Sequence, residues 1–314
     1  MAAPTVAIEA DLHAAILAWF AVRGRDLAFR ATADPYAILV SEAMAQQTQA
    51  ARAADYWSRF LVEFPTVQAL AESTPAAVLR AWRGLGYNRR ALALRQAAIA
   101  IVRDHGGAVP DELEALECLP GVGPYTARAV AALAFGRRVG AVDVNVRRVL
   151  SRAIGGSLEA FGTAELQRIA DASVPADQPG VWTHALMDVG ATFCRARAPR
   201  CGGCPAQPWC QAAPSFASPR GQDTPVSPAA PESPVTAPHA AREAPVAFET
   251  TSRWLRGRLL DLLRDSPDGA WATLPAAMGS HGTSAIAAAF SAMVAEGLAE
   301  RHPADPWQAR LPLA

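Results

Sequence analysis

Lysine is absent from all 314 positions, so the 29 cationic side chains are all arginine. Schiff-base chemistry on a side-chain amine is thereby excluded, and only the N-terminal amine could form such an adduct. Cysteine is scarce, with five residues in all. The N-terminus carries no charged, apolar, small-residue secretory leader, so a disulfide-stapled scaffold is not expected. No apolar run reaches the ~18 to 20 residues that a bilayer span needs, and no membrane partner is expected. Net charge is lacking too: 29 acidic residues balance the arginines. Affinity for a polyanion would need a local field. Strand-like alternation is nearly missing before residue 295, which points away from a sheet-based fold.

What is present is helical. The length suits two or three domains, and 51% hydrophobic residues supply ample core. Leu12, Ile16, Leu17 and Phe20 share one helical face, Leu92, Ile99 and Val102 recur similarly, and Thr74-Pro75 reads as an N-cap followed by N1. Residues 212–249 turn to Pro, Ala, Ser and Thr, the composition of a disordered or extended linker. Beyond it, Leu255, Leu259, Leu262 and Leu263 form one stripe and Ile286, Phe290 and Met293 another. Helices followed by a short terminal hairpin predict a small winged-helix-like domain over 250–314.

Four of the five cysteines, Cys194, Cys201, Cys204 and Cys210, are spaced Cys-x6-Cys-x2-Cys-x5-Cys. Structural zinc usually draws on two close Cys-x2-4-Cys pairs, and only one exists here. The spacing favours an iron–sulfur cluster over zinc without settling it. Upstream, Leu119-Pro120-Gly121-Val122-Gly123 interrupts two helical patterns, 111–118 and 125–135. A tight hairpin opening a helix offers backbone N–H groups to a phosphate, or it is an ordinary helical corner. Residues 119–157 tip the balance toward phosphate, because they carry six arginines against Asp143 alone. Cys118, the fifth cysteine, reads as a small buried hydrophobe.

An acid is available in Ile38-Leu39-Val40-Ser41-Glu42, where an apolar run enters a stripe of Glu42, Gln46 and Gln49 at i, i+4, i+7. If desolvated, the Glu42 carboxyl would hold a proton near neutral pH, as a general acid must; if not, it sits on a solvated polar face. Asp143 opens a further helix and reads either as a second functional carboxylate or as an N-cap. Asp188, before Cys194, faces either a cleft or an arginine.

Taken in order, these motifs resemble the helix-hairpin-helix DNA glycosylases of the endonuclease III superfamily, and among them the adenine DNA glycosylases of the MutY type. The resemblance spans residues 9–212 and rests on Asp34-Pro35-Tyr36, Ser41-Glu42, Gln46-Gln47-Thr48-Gln49, Gly84-Leu85-Gly86-Tyr87, Leu119 to Thr126, Asp143 with Asn145-Val146-Arg147-Arg148, and the cysteine quartet. It implies an all-α, two-domain fold, with a six-helix barrel over 31–135 and a cluster domain built from 1–30 and 136–211. It also implies a 4Fe-4S cluster on the four cysteines. Where bifunctional members carry a hairpin lysine, this chain has Tyr125, which implies a monofunctional enzyme unable to make a lysine adduct with an abasic sugar.

By position, Glu42 would protonate adenine N7, Asp143 would stabilise the sugar cation, and Tyr125 and Asn145 would assist. Gln47 and Thr48 would enter the stack or read the opposite base, Tyr87 would intercalate, and Gly121, Val122 and Gly123 would hold phosphate. Arg25 would border the extruded adenine. The expected substrate is adenine opposite 8-oxoguanine or guanine in double-stranded DNA; a thymine or pyrimidine mismatch specificity and a non-catalytic DNA-binding module are the alternatives. A monomer in the cytoplasm, associated with the nucleoid, is expected. Leu27-Ala28-Phe29 departs from the usual Leu-Pro-Trp, Ala45 replaces a usual leucine, and Asn88 stands where a second tyrosine or a small residue often follows Tyr87. Where many members append a nucleotide-pyrophosphohydrolase-like domain, this chain has its linker and a small module that could recruit a repair partner.

Overall fold

The computed structural model describes residues 10–216 and 247–314, and its contacts divide the chain into two compact units, 1–217 with 313–314, and 218–312. The first unit is helical throughout. Its helices are α1 (Ala10–Arg23), α2 (Pro35–Ala45), α3 (Ala50–Glu63), α4 (Val67–Glu72), α5 (Pro75–Ala81), α6 (Arg89–His105), α7 (Leu113–Glu117), α8 (Pro124–Phe135), α9 (Val144–Gly155), α10 (Thr163–Ala172), α11 (Pro179–Thr192) and α12 (Ala213–Phe216).

Helix α2 starts where Asp34 accepts the Tyr36 N–H and Pro35 occupies N1. Tyr36 to Glu42 and Met44 are all buried, so this helix has no solvent face over most of its length. It packs against α3, α6 and α8. Helix α8 meets it with Thr126, Ala127, Ala129, Val130, Ala131 and Ala132 buried, and such short side chains let neighbouring helices approach closely. A second core joins α1, α9, α10 and α11 through Leu12, Ile16, Val149, Leu150, Leu166 and Trp182. Helix α11 packs on both α8 and α9 and so bridges the two sets.

Two sequence expectations need correction here. Helix α6 does not bury Leu92, Ile99 and Val102; its inward face is Ala91, Leu94, Ala97, Ala98 and Ile101. Helix α6 packs against α2, α4 and α5, and Leu92 and Ile99 are left half-buried while Val102 is exposed. Helix α2 also ends at Ala45, so Gln46 and Gln49 do not continue the Glu42 stripe. Gln46 closes α2, and Gln49 is the N-cap of α3.

The second unit begins with α13 (Ser252–Asp265), capped by Thr251, which buries Leu255, Leu259, Leu260 and Leu263. Leu262 is only half-buried. Helix α14 (Thr283–Ala295) buries Ile286, Phe290 and Met293 as expected. Strands β1 (Ala272–Thr273), β4 (Glu300–Arg301) and β5 (Gln308–Arg310) form an antiparallel sheet ordered β1-β5-β4, with Ala272 opposite Ala309 and Glu300 opposite Arg310. A separate hairpin pairs β2 (Ala277–Met278) with β3 (His281–Gly282). The strands before residue 295, β1, β2 and β3, have two residues each and are too short for alternation to register. Within the expected linker, Ala213–Phe216 is helical and Phe248–Thr250 makes a 3-10 turn; its residues 217–246, like residues 1–9, lie outside the described residues.

Candidate active site

Three expected residues converge. Glu42, on the all-round buried α2, is 7% exposed. Burial pushes its carboxyl up to about 7; a hydrogen bond with Tyr125 and the nearby Arg30 act in the opposite direction, and the negative charge of Asp143 adds to the rise. Tyr125 stands in the first turn of α8, behind Pro124 at N1. Its hydroxyl is raised well above its ordinary value by burial and by Glu42 and Asp143, and it lies 4.0 Å from Met187 Sδ. Asp143 is indeed an N-cap, accepting from Asn145 N at 2.8 Å and Val146 N at 2.7 Å. Its negative charge is also felt by Glu42 and Tyr125. Asn145 Nδ2 grips its second oxygen at 2.6 Å, and Asn145 Oδ1 accepts from Arg148 Nη2 at 2.6 Å.

Behind Glu42 lies a charged layer that sequence reading only partly reached. Asp188, fully buried, accepts both terminal nitrogens of Arg30 at 2.9 and 2.7 Å. It also accepts the backbone N–H of Arg25 at 2.8 Å and its Nε at 2.7 Å. Burial works to raise the Asp188 pKa, but the hydrogen bonds from Arg30 and Arg25 together hold it below the usual range. His184, one turn earlier on α11, is driven down to about 3, chiefly by burial and then by Arg30, and is therefore neutral. Arg25 is thus tied to Asp188, with its side chain 41% exposed. Arg30 and His184 had no motif to reveal them.

The residues expected to touch DNA sit on two loops and the hairpin. Gln47 and Tyr87 are the two non-glycine residues with positive φ, 53° and 47°, among the described residues. Each left-handed conformation costs roughly 1–3 kcal/mol and persists only where its surroundings impose it. Gln47 is exposed, Thr48 half-buried and Tyr87 47% exposed. In the hairpin, Gly121 needs its φ of +76° and its closeness to Ala93, where an added Cβ would come within 2.7 Å. Gly123 differs: its φ is −93° and an added Cβ would meet nothing within 4 Å. Nothing inside the protein demands glycine at 123, so its open face suits something approaching from outside.

The arginine-rich stretch is a weaker phosphate face than its composition suggests. Arg128 pairs with Asp171, Arg137 with Asp111 and Glu112, and Arg138 donates to Val174 O. Arg148 and Arg152 turn inward to backbone carbonyls of the cysteine loop. A count of charges cannot see these partners.

All four cysteines of the quartet line one cavity with Arg152, Phe193, Pro199 and Phe216. Burial and neighbouring sulfurs push up the thiols of Cys201, Cys204 and Cys210, that of Cys204 to about 12. Arg152 Nη1 lies 3.4 Å from Cys194 Sγ. No group of three or more His, Cys, Asp or Glu side chains meets closely enough to hold a single metal ion among the described residues. Cys118 contradicts its expectation, being exposed. It caps a five-residue helix that buries only Leu116, which leaves the neighbouring side chains outside.

A buried glutamate interacting with a capping aspartate and with the tyrosine that follows the hairpin, on an all-helical frame, defines the class. The profile of the HhH-GPD superfamily of base excision DNA repair proteins matches residues 40–170. The adenine DNA glycosylase of Mycobacterium tuberculosis is 43% identical over 259 residues, covering 79% of this chain and 77% of its own. That of Mycolicibacterium smegmatis is 40% identical, covering 80% of each. The solved structure of a thermostable thymine-DNA glycosylase superposes with a TM-score of 0.61 at 32% identity, covering 64% of this chain and 94% of its own. The chain belongs to the HhH-GPD superfamily of DNA glycosylases and, within it, to the adenine DNA glycosylase family.

Proposed function

We propose that the protein hydrolyses the N-glycosidic bond of adenine mispaired with 8-oxoguanine or guanine, as a monofunctional glycosylase of base excision repair. The observation that carries this reading is a buried Glu42 whose carboxyl titrates near 7, in reach of the Tyr125 hydroxyl and the Asp143 charge. Near neutral pH such a group holds a proton and can release it, as protonation of a departing purine at N7 requires. Asp143, fixed by three N–H donors, stabilises positive charge on the sugar as the bond breaks, and water completes the hydrolysis. Tyr125 orients the acid, and Asn145 holds Asp143. Arg25, held by the buried Asp188, borders the extruded base. Gln47, Thr48 and Tyr87 open the stack, offsetting a flipping cost of about a few kcal/mol. Gly121, Val122 and Gly123 take the phosphate. With Tyr125 in the hairpin helix and no lysine anywhere, the lyase step has no side-chain amine.

Cys194, Cys201, Cys204 and Cys210 are assigned to a 4Fe-4S cluster. The donor set supports this: all four cysteines line one cavity, and four soft thiolates on one short loop suit such a cluster. When bound, the cluster supplies a covalent clamp on the loop; breaking a glycosidic bond with water transfers no electrons. No helix among the described residues is long and apolar enough to cross a membrane. We take the protein to act as a nucleoid-associated monomer in the cytoplasm, with residues 250–314 available to a repair partner.

A panel of duplexes carrying each mispair, with Glu42→Gln as control, tests the function. Release of adenine alone, lost in the variant, is the expected result. Release of thymine would transfer the assignment to the specificity of the thymine-DNA glycosylase neighbour, and binding without release would reduce the protein to a DNA-binding module.

A further inference from the structure

We propose that Arg90 is a positioning residue that locks the loops of Gln47 and Tyr87 into a single DNA-reading wedge; this rests on the glycosylase reading above. Arg90 stands in the first turn of α6, where the helix dipole disfavours a cation. Its guanidinium reaches across to the end of α2. Nη1 donates to the carbonyls of Ala43 at 2.8 Å, Met44 at 3.1 Å and Gln46 at 2.5 Å, groups that the end of a helix leaves without intrahelical partners. Nη2 donates to Thr48 Oγ1 at 3.3 Å and to the carbonyls of Leu85 at 3.4 Å and Gly86 at 3.2 Å. The same group lies over the rings of Trp82 and Tyr87, 5.4 and 5.5 Å from their centroids.

An ordinary helix cap would account for Nη1 alone. Here one planar fork joins residues on both sides of Gln47 to the residues immediately before Tyr87, the two non-glycine positions with left-handed backbones among the described residues. Neither loop can relax without breaking bonds that also hold the other. The wedge is therefore ordered before DNA arrives, and the ordering cost is met in folding rather than at the mispair. Lysine could not substitute, since a single ammonium has three donors and no plane to stack.

The test uses the full chain and two duplexes, one with adenine opposite 8-oxoguanine and one with adenine opposite an abasic analogue, where no partner base resists flipping. Single-turnover release is read on both, together with the fluorescence of 2-aminopurine beside the mispair, which reports unstacking on binding without excision. For Arg90→Met we expect the ratio of the two rates to fall about 100-fold, the scale of a small misplacement of reacting groups. The 2-aminopurine signal should fall with it. In a Gln47→Ala/Tyr87→Ala background the same change should cost less than about threefold, because the residues it acts through are gone. Rates that fall together at an unchanged ratio, with full unstacking, would mean a role in stability only and overturn the proposal. If Arg90→Met does not fold, Arg90→Lys is read by the same ratio and signal. Should the wild type release adenine from neither duplex, the glycosylase reading fails, and 2-aminopurine unstacking alone still decides the wedge.

Discussion

The middle of α2 and the N-cap of α9 each bring a carboxylate to the same site, and they treat it in opposite ways. Helix α2 buries Glu42 among apolar neighbours, with the Tyr125 hydroxyl of α8 as its partner, so burial dominates and the proton stays on near pH 7. At the start of α9, Asp143 accepts three N–H bonds from the chain that follows it. One site stores a proton; the other presents a fixed acceptor. The division of roles comes from secondary structure, from the middle of a buried helix against the end of one, and needs no difference in side-chain chemistry.

The largest effect that could break this comparison is Glu42→Gln. Loss of a general acid costs about 10²–10⁴-fold in rate, and we expect excision on the 8-oxoguanine mispair to fall into that range in single-turnover assays. The same variant should be more stable than wild type above pH 7. Glu42 binds its proton more tightly folded than unfolded, so its contribution to stability is complete below about 4.5 and is lost as pH rises through about 7. Replacing it with an uncharged isostere removes that loss, worth up to about 3 kcal/mol, and the difference in Tm between variant and wild type should widen from pH 5 to pH 8. Next in size is Asp143→Asn. Asparagine still caps a helix, so Tm should hold within a few degrees while the rate falls about 10²–10³-fold, the scale of removing one electrostatic stabiliser. A variant that lost rate only in proportion to lost Tm would mean that Asp143 is a cap and nothing more.

Much of this was legible in the sequence because it rests on local chemistry. An apolar run entering Glu42, an aspartate opening a helix, a Pro-Gly-x-Gly corner and a cysteine quartet each carry their meaning over a few residues. Arg30, Arg90 and His184 were not legible, because what defines them is a partner far along the chain: Asp188 for Arg30, and Gln46 and Thr48 for Arg90. Arg90 left one trace, a cation where the α6 dipole opposes it. The same blindness made the stretch 119–157 look more basic than it is, since Asp171, Asp111 and Glu112 lie outside the window counted. Tertiary partners likewise turned α6 onto its alanines.

A smaller effect links the Asp143 site to the cysteine cavity. Arg148 donates to the carbonyl of Cys194 at 2.7 Å and to Asn145, so the α9 turn that holds Asp143 is braced against the cysteine loop. Cys204→Ser should loosen the loop, and with it Arg197 and Arg200, which are exposed there. We expect DNA affinity to fall by about tenfold, with a shallower salt dependence than wild type shows because fewer phosphate contacts release counterions, and a lower Tm. The rate per bound complex should change less. Normal affinity with abolished single-turnover chemistry would instead place the cysteine loop in control of Asp143.

The smallest expected effect is a displacement of a pH profile, and it addresses Glu42 most directly. Excision should decline as pH rises through about 7, because the competent form of Glu42 is the protonated one. The Tyr125 hydroxyl bonds the Glu42 carboxylate and so favours its charged form, opposing the burial that raises the pKa. Tyr125→Phe removes that opposition and keeps the ring. The alkaline limb of single-turnover rate against pH should therefore move to higher pH, even if the maximal rate drops through lost orientation. A limb that moved to lower pH, or stayed in place, would show that the group titrating near 7 is not Glu42, and the contrast between a buried acid and a capped acceptor would lose its first member.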